Sequence, residues 1–178
     1  MVPGLAANAH PTNFVLPNQS GMENNSRFLN EMQVYGEIWV KDNTTETTLN
    51  SAAKAQILVF TDDGDAEGSK PEFEEGHIEI KKAGKYMVNV AMSMSNTAGQ
   101  GHVVSVGLFV NNGEDPFNNV HAGRGLTTAS TVGNAHMSGI CNFDVGDTVE
   151  LWAITDSGQD RNVLFEDVTL SITRVGKL

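Results

Sequence analysis

The stretch Tyr86-Met87-Val88-Asn89-Val90-Ala91-Met92-Ser93-Met94-Ser95 decides the fold class. Tyr86, Val88, Val90, Met92 and Met94 fall on one side of a two-residue period, and Met87, Asn89, Ala91, Ser93 and Ser95 on the other. An extended strand sends successive side chains to opposite faces, so this segment is a strand with one apolar face to bury and one small, polar face. A helical period of 3.6 would scatter the same apolar residues around a cylinder.

The alternation continues in both directions. Upstream, Val34, Gly36, Ile38 and Val40 alternate with Tyr35, Glu37, Trp39 and Lys41 until Asp42-Asn43 breaks the pattern. Residues 55–61 form a short apolar run ending at the turn Asp62-Asp63-Gly64-Asp65, and residues 77–81 form a short strand stopped by Lys82-Ala83-Gly84. Downstream, Val104, Val106, Leu108 and Val110 lead to Asn111-Asn112-Gly113, a strong turn signal. Residues 114–122 read as a loop, 126–132 as strand-like, and 135–143 as a strand ending at Asp144-Val145-Gly146-Asp147. Val149, Leu151 and Ala153 face inward on the next strand, and Gln159-Asp160-Arg161-Asn162 reads as a polar loop. Val168, Leu170 and Ile172 supply the last core face. About eight short strands separated by Gly, Asn and Asp turns, with no helical pattern, predict an all-β sandwich or barrel.

Residues 1–33 are of another kind. They hold Pro3, Pro11 and Pro17, are rich in asparagine, and sustain no period. Such a segment lacks the apolar area to fold alone, so the expected organisation is an extended N-terminal arm, 1–33, followed by one β domain, 34–178. Phe14, Val15, Leu16, Phe28 and Leu29 are the arm residues suited to docking on a partner. A chain of 178 residues buries enough surface for a core without disulfides, and its single cysteine, Cys141, forms no intrachain bridge.

Charge narrows the partners. The chain carries 22 acidic and 11 basic residues, a net charge of -11, and its one adjacent basic pair is Lys81-Lys82. Without a cluster of Lys and Arg to release counterions from a phosphate backbone, nucleic acid is not an expected partner. No apolar run approaches the roughly 20 residues that cross a bilayer, and Met1-Val2-Pro3-Gly4-Leu5-Ala6-Ala7 has neither basic nor apolar signal regions, so no membrane partner is expected.

The sharpest chemical pattern is acidic. Asp63, Asp65, Glu67 and Glu74, with Gly68, match the spacing of a twelve-residue calcium loop. Its context is wrong for that loop, because a β-type run precedes it, Pro71 interrupts it, and Lys70 replaces the usual apolar eighth residue. A solvated acidic hairpin loop is the expectation, with no metal and no cofactor. His10, His77, His102, His121 and His136 lack paired ligand spacing and are expected on the surface or in loops. Cys141 is expected to be a small core residue, not a nucleophile. No acid, base and nucleophile set converges, so an enzyme is not expected.

Several runs together resemble a known family. Ala83-Gly84-Lys85-Tyr86-Met87-Val88, then Val106-Gly107-Leu108-Phe109-Val110-Asn111-Asn112-Gly113, is similar to the middle of the tumour-necrosis-factor and complement globular-head jelly roll. Phe143-Asp144-Val145-Gly146-Asp147-Thr148-Val149-Glu150-Leu151 resembles its penultimate hairpin, and Leu170-Ser171-Ile172-Thr173-Arg174-Val175 its last strand. The opening Tyr35-Gly36-Glu37-Ile38-Trp39-Val40-Lys41-Asp42-Asn43 resembles the first strand of versions found in tailed-phage structural gene clusters. The resemblance covers about residues 34–176 and implies a TNF-like jelly-roll sandwich that forms a homotrimer.

Trp39 and Trp152 sit opposite the core residues of their strands and are the expected trimer-interface aromatics. The implied function is that of a virion structural protein: a capsid decoration, or cement, trimer on the capsid surface. Its partner is the major capsid protein, engaged through the arm. The alternative is a receptor- or glycan-binding head of a phage fibre or secreted module, with Trp152, Asp156 and Asn162 as a sugar site.

Overall fold

Strand β7 (Gly84–Asn96) is a central strand, and its alternation is realised in space: Tyr86, Val88, Val90, Met92 and Met94 are buried. The computed structural model describes residues 33–178 apart from 98, 113–114 and 129–130. The docking residues proposed for the arm, Phe14, Val15, Leu16, Phe28 and Leu29, lie outside the described residues.

On one side β7 pairs antiparallel with β12 (Arg161–Gly176), placing Leu170 opposite Val90 and Ile172 opposite Val88. On its other side it pairs with β10 (Val132–Phe143), with Met137 opposite Val90. Strand β1 (Tyr35–Val40) adds to the far side of β12, with Ile38 opposite Leu170, and β4 (Asp62–Asp63) closes that edge. Strand β2 (Glu46–Leu49) pairs with the beginning of β12.

The second sheet is built around β11 (Thr148–Thr155), which lies between β8 (Gln100–Val110) and β6 (His77–Ile80). Strand β9 (Asp115–Thr128) pairs with β8, β5 (Ser69–Glu72) with β6, and β3 (Ala55–Gln56) with β11. Both sheets have six strands, and the apolar face of each meets the other across one core. The result is an all-β jelly-roll sandwich.

The core holds Ile38, Val88, Leu170 and Ile172 from the first sheet and Ile78, Leu108, Leu151 and Ala153 from the second. Each large side chain so buried contributes about 1.5–3 kcal/mol relative to an exposed one. Tyr86 and Phe143 pack with ring centroids 5.5 Å apart, and the Tyr86 hydroxyl donates to the Lys82 carbonyl at 2.6 Å. That bond lets a phenol reach the core without leaving its oxygen unpaired.

A bulge in β12 is held by the turn that ends β1. The register against β7 shifts between Phe165 and Asp167. The Asn43 amide donates to the Glu166 carbonyl, and its side-chain amide to the Phe165 carbonyl. Asp167 accepts from the Asp42 backbone through one carboxylate oxygen and from the Ser93 hydroxyl through the other. Every polar group freed by the bulge that these bonds reach is satisfied locally, which is what keeps such an irregularity stable.

Several sequence expectations change here. The loop expected over 114–122 is part of the long strand β9, and β12 begins at Arg161, inside the expected polar loop. Strand character over 126–132 is split, with β9 ending at Thr128 and β10 starting at Val132. Of the run 55–61 only Ala55 and Gln56 are strand, although Ile57 and Phe60 are buried. In β9 and at the start of β12, long-range pairing overrides local composition. His77 and His102 are buried in strands, not on the surface or in loops, His121 and His136 are exposed, and His10 lies outside the described residues. Cys141 is buried as expected, and burial pushes its thiol up to about 11, so it stays neutral at pH 7.

Replacing Phe143 with Ala is predicted to cost about 3–5 kcal/mol, by lost transfer energy plus a cavity beside Tyr86. Urea unfolding followed by circular dichroism checks this, as a lowered midpoint at unchanged slope.

Candidate functional site

The sandwich has two outward faces of different character. On the first sheet, three cross-strand rows run over β1, β12, β7 and β10. They are Tyr35–Thr173–Met87–Ile140, Glu37–Ser171–Asn89–Ser138 and Trp39–Thr169–Ala91–His136. Glu37 is the one carboxylate in these rows, and none holds Lys or Arg. Ile140 is 54% exposed and Tyr35 39%. A depression of about 420 Å³ lies on this face, bounded by Ala91, Ser93, Asn134, His136, Asp167 and Thr169. Small side chains leave it open.

The outward face of the second sheet carries an acidic corner and an aromatic cleft. At the corner, β5 runs into a 3-10 turn, Phe73–Glu75, and then into β6. Gly76 between them has a left-handed φ of 69°, and a Cβ there would lie 2.7 Å from Leu58 and 3.0 Å from the Ile57 carbonyl. The reversal therefore needs glycine, for conformation and for space.

It swings His77 back onto Glu72, with Nε2 3.0 Å from the carboxylate, while Nδ1 lies 3.8 Å from Glu75. Lys70 pairs with the other oxygen of Glu72 at 2.5 Å. The hydrogen bonds from Lys70 and His77 hold the Glu72 carboxyl below its usual range. One imidazole and two carboxylates here have ligand atoms within 4.8 Å of one another. The donor set suits a divalent ion, but Lys70 and His77 already satisfy Glu72.

The predicted calcium ligands are not gathered. Asp63 lies in β4 and accepts from the Phe73 backbone, and Glu67 exchanges backbone bonds with Tyr35. Ser69–Glu72 is strand, and Glu74 sits in the 3-10 turn. Strand pairing has extended the segment that would have wrapped an ion, so Asp63, Asp65, Glu67 and Glu74 form no ligand group among the described residues.

The aromatic cleft is organised by Glu150, a carboxylate 1% exposed at an outward position of β11. One oxygen accepts from the Asn112 backbone at 2.9 Å and from the Thr148 hydroxyl at 2.7 Å. The other accepts from the Trp152 indole N–H at 2.8 Å. Asn112, like Asn111 before it, has a positive φ, and the turn after β8 aims its N–H at Glu150. Trp152 is thereby fixed against Phe109, with centroids 6.3 Å apart and planes at 60°. Lys54 lies over both rings, 4.5 Å from the Phe109 centroid and 5.5 Å from that of Trp152.

The sequence correctly placed Trp39 and Trp152 on outward faces, and both are half-buried. They belong to different sheets, on the two outward faces of the sandwich. The sugar constellation of Trp152, Asp156 and Asn162 is not assembled. Asp156 caps the Val103 backbone, and Asn162 bonds Glu46 and Thr48 across the first sheet. Lys54, Gly107 and Phe109 surround Trp152 instead. Phe109 was legible as an outward aromatic; Lys54 arrives from a distant loop and left no local signal.

Solved structures share this fold. A TNF named Eiger from S. frugiperda superposes with a TM-score of 0.59 at 12% identity, covering 82% of this chain and 94% of that one. The globular domain of zebrafish complement 1qA gives 0.52 at 11%, covering 82% and 99%. Murine APRIL gives 0.52 at 7%, covering 79% and 99%. No family model matches the sequence, and no curated protein matches it.

Two predictions follow from the second sheet. Glu150→Leu leaves the Asn112 and Trp152 N–H groups without their acceptor and is expected to cost about 2–4 kcal/mol in denaturant unfolding. The Glu72 carboxyl is depressed in the folded state, so its contribution is present above its unfolded pKa and is lost as pH falls through the lower folded value. The stability gap between the native chain and Glu72→Gln should therefore close across that acidic window, read from urea midpoints at each pH.

Proposed function

We propose that this protein is a homotrimeric virion structural protein that decorates and stabilises an assembled capsid, with a binding role and no catalytic one. The observation that carries the trimer is the outward face of the first sheet. A monomer would leave Tyr35, Met87 and Ile140 in one row, with Trp39 two rows away, across rows that hold one carboxylate and no Lys or Arg. Charged side chains normally keep such a sheet face in water, and their scarcity suits a surface buried by copies of itself. The depression at Ala91 and Ala135 would seat side chains from a neighbouring subunit. Trp39 is the tryptophan on this face, and Trp152 lies in the other sheet.

The decoration role rests on the resemblance of the first strand to phage structural domains and on the arm, residues 1–33. A protein that binds only the assembled lattice stabilises it by mass action. A trimer displays three arms at once, so their local concentration strengthens binding without any new contact. The major capsid protein is the partner, and the capsid surface the location.

Light scattering should return a mass near three times 19.1 kDa. Ile140→Lys, which puts three charges into the interface, should reduce that mass to one chain while the far-ultraviolet dichroism is retained. A trimer that survives this substitution removes the first-sheet face from the interface. Deleting residues 1–33 should abolish co-sedimentation with assembled capsids and leave the trimer intact.

A further inference from the structure

The cleft beside Trp152 is open because its floor is a glycine. Gly107 occupies an outward position of β8, with Trp152 in register on β11 and His121 in register on β9. Glycine in a strand interior sacrifices packing and conformational entropy and marks a bulge or a close approach; the register of β8 against β9 shifts just after Gly107. The backbone does not require glycine here, since Gly107 is not among the positive-φ positions. A Cβ would meet only side chains, Phe109 at 3.3 Å and His121 at 3.9 Å. What Gly107 leaves is a cleft of about 240 Å³ bounded by Trp152, Phe109, Lys54, Ser105, His121 and Ile154.

The walls are already rigid. The indole N–H is committed to Glu150, which is itself held by Thr148 and Asn112, so Trp152 offers its ring face and C–H edge and no donor. Lys54 is delivered by a fixed loop. Asn50 accepts from the Ala52 and Ala53 backbones, Ser51 donates to the Ser157 carbonyl, and Ala55 and Gln56 pair with Ala153 and Trp152. Its ammonium is therefore placed over the aromatic pair, on a chain whose net charge is -11.

We propose that this cleft binds a carboxylated pyranose, a sugar ring bearing one acidic group. The apolar C–H face of the ring stacks on Trp152 above Gly107, the carboxylate takes Lys54, and the hydroxyls reach Ser105 and His121 at the rim. An aromatic wall with polar groups confined to the rim matches a ligand that is apolar on one face and polar at its edge. The Lys54 charge selects an anion over a neutral or cationic sugar. The net negative chain disfavours polyanions, which restricts the ligand to an isolated acidic unit. This site lies on the sheet face opposite the proposed trimer interface, so the two readings stand or fall separately.

Titration of the full-length protein with methyl β-D-glucuronide, methyl β-D-galacturonide and methyl α-sialoside, followed by NMR, tests it. The two tryptophans give two indole N–H signals, and Trp39 serves as the internal control. At least one acidic sugar should shift the Trp152 signal in the millimolar range, with the matching neutral glycoside at least about tenfold weaker and acetate inactive. Lys54→Met should erase the preference for the acid while retaining weak sugar binding. Gly107→Val should abolish both; where that variant does not fold, Gly107→Ala, whose Cβ meets only the Phe109 and His121 side chains, should weaken both. A Trp152 signal unmoved by all three sugars overturns the proposal. So does equal affinity for acid and neutral forms, an equal response to acetate, or a shift confined to Trp39.

Discussion

The pairing of β12 with β7 is the constraint on which the rest of the structure depends. These are the two longest neighbours in the first sheet, and their register sets Val90 against Leu170 and Val88 against Ile172. A slip of one residue would send that whole apolar set to the outward face. β1, β2 and β10 add to this pair, and the second sheet then packs on the apolar face they share. The register gives way at Glu166 and again near Val175, and the Asp42–Asn43 turn bonds the chain on either side of the first bulge.

Because strands alternate, a sandwich that buries one face of each sheet must present the other two, and here they have diverged chemically. The first face sets apolar residues among small polar ones in its central rows, with Asp62 and Asp167 at its margins. The second concentrates Lys70, Glu72, Glu75 and His77 in one corner and a rigid aromatic pair beside it. Glu150 links architecture to surface chemistry in that second sheet. A buried carboxylate is tolerable when hydrogen bonds replace its water, and the bonds from Asn112, Thr148 and Trp152 do so. The same bonds immobilise the ring that walls the cleft.

How much of this was legible depends on the range of the interactions involved. The inward set on β7, the Asn111-Asn112 turn and the outward placement of Trp39 and Trp152 follow from period and turn chemistry, which are local. Strand β9 was hidden because residues 114–122 carry Glu, Asp, Asn and Pro, and pairing with β8 imposes the strand regardless. Asp63, Asp65, Glu67 and Glu74 had calcium-loop spacing, but spacing alone says nothing about backbone shape, and edge pairing with β1 and β6 draws the segment out. Lys54 and Gly107 are far apart in the chain, and their meeting over Phe109 had no local trace.

By itself the sequence determined the all-β class, the face of each clear strand that turns inward, the acidic balance of the chain and the distinct composition of residues 1–33. These are properties of neighbouring residues, written in a period of two and in the residues that turn a chain. Tertiary structure alone decided which strands pair and which outward residues share a surface. It parted Trp39 from Trp152, drew His77 onto Glu72 and Glu75, and set Lys54 above the Phe109–Trp152 pair. Those outcomes depend on the register between strands remote in sequence, which many residues settle together through the burial of a common core.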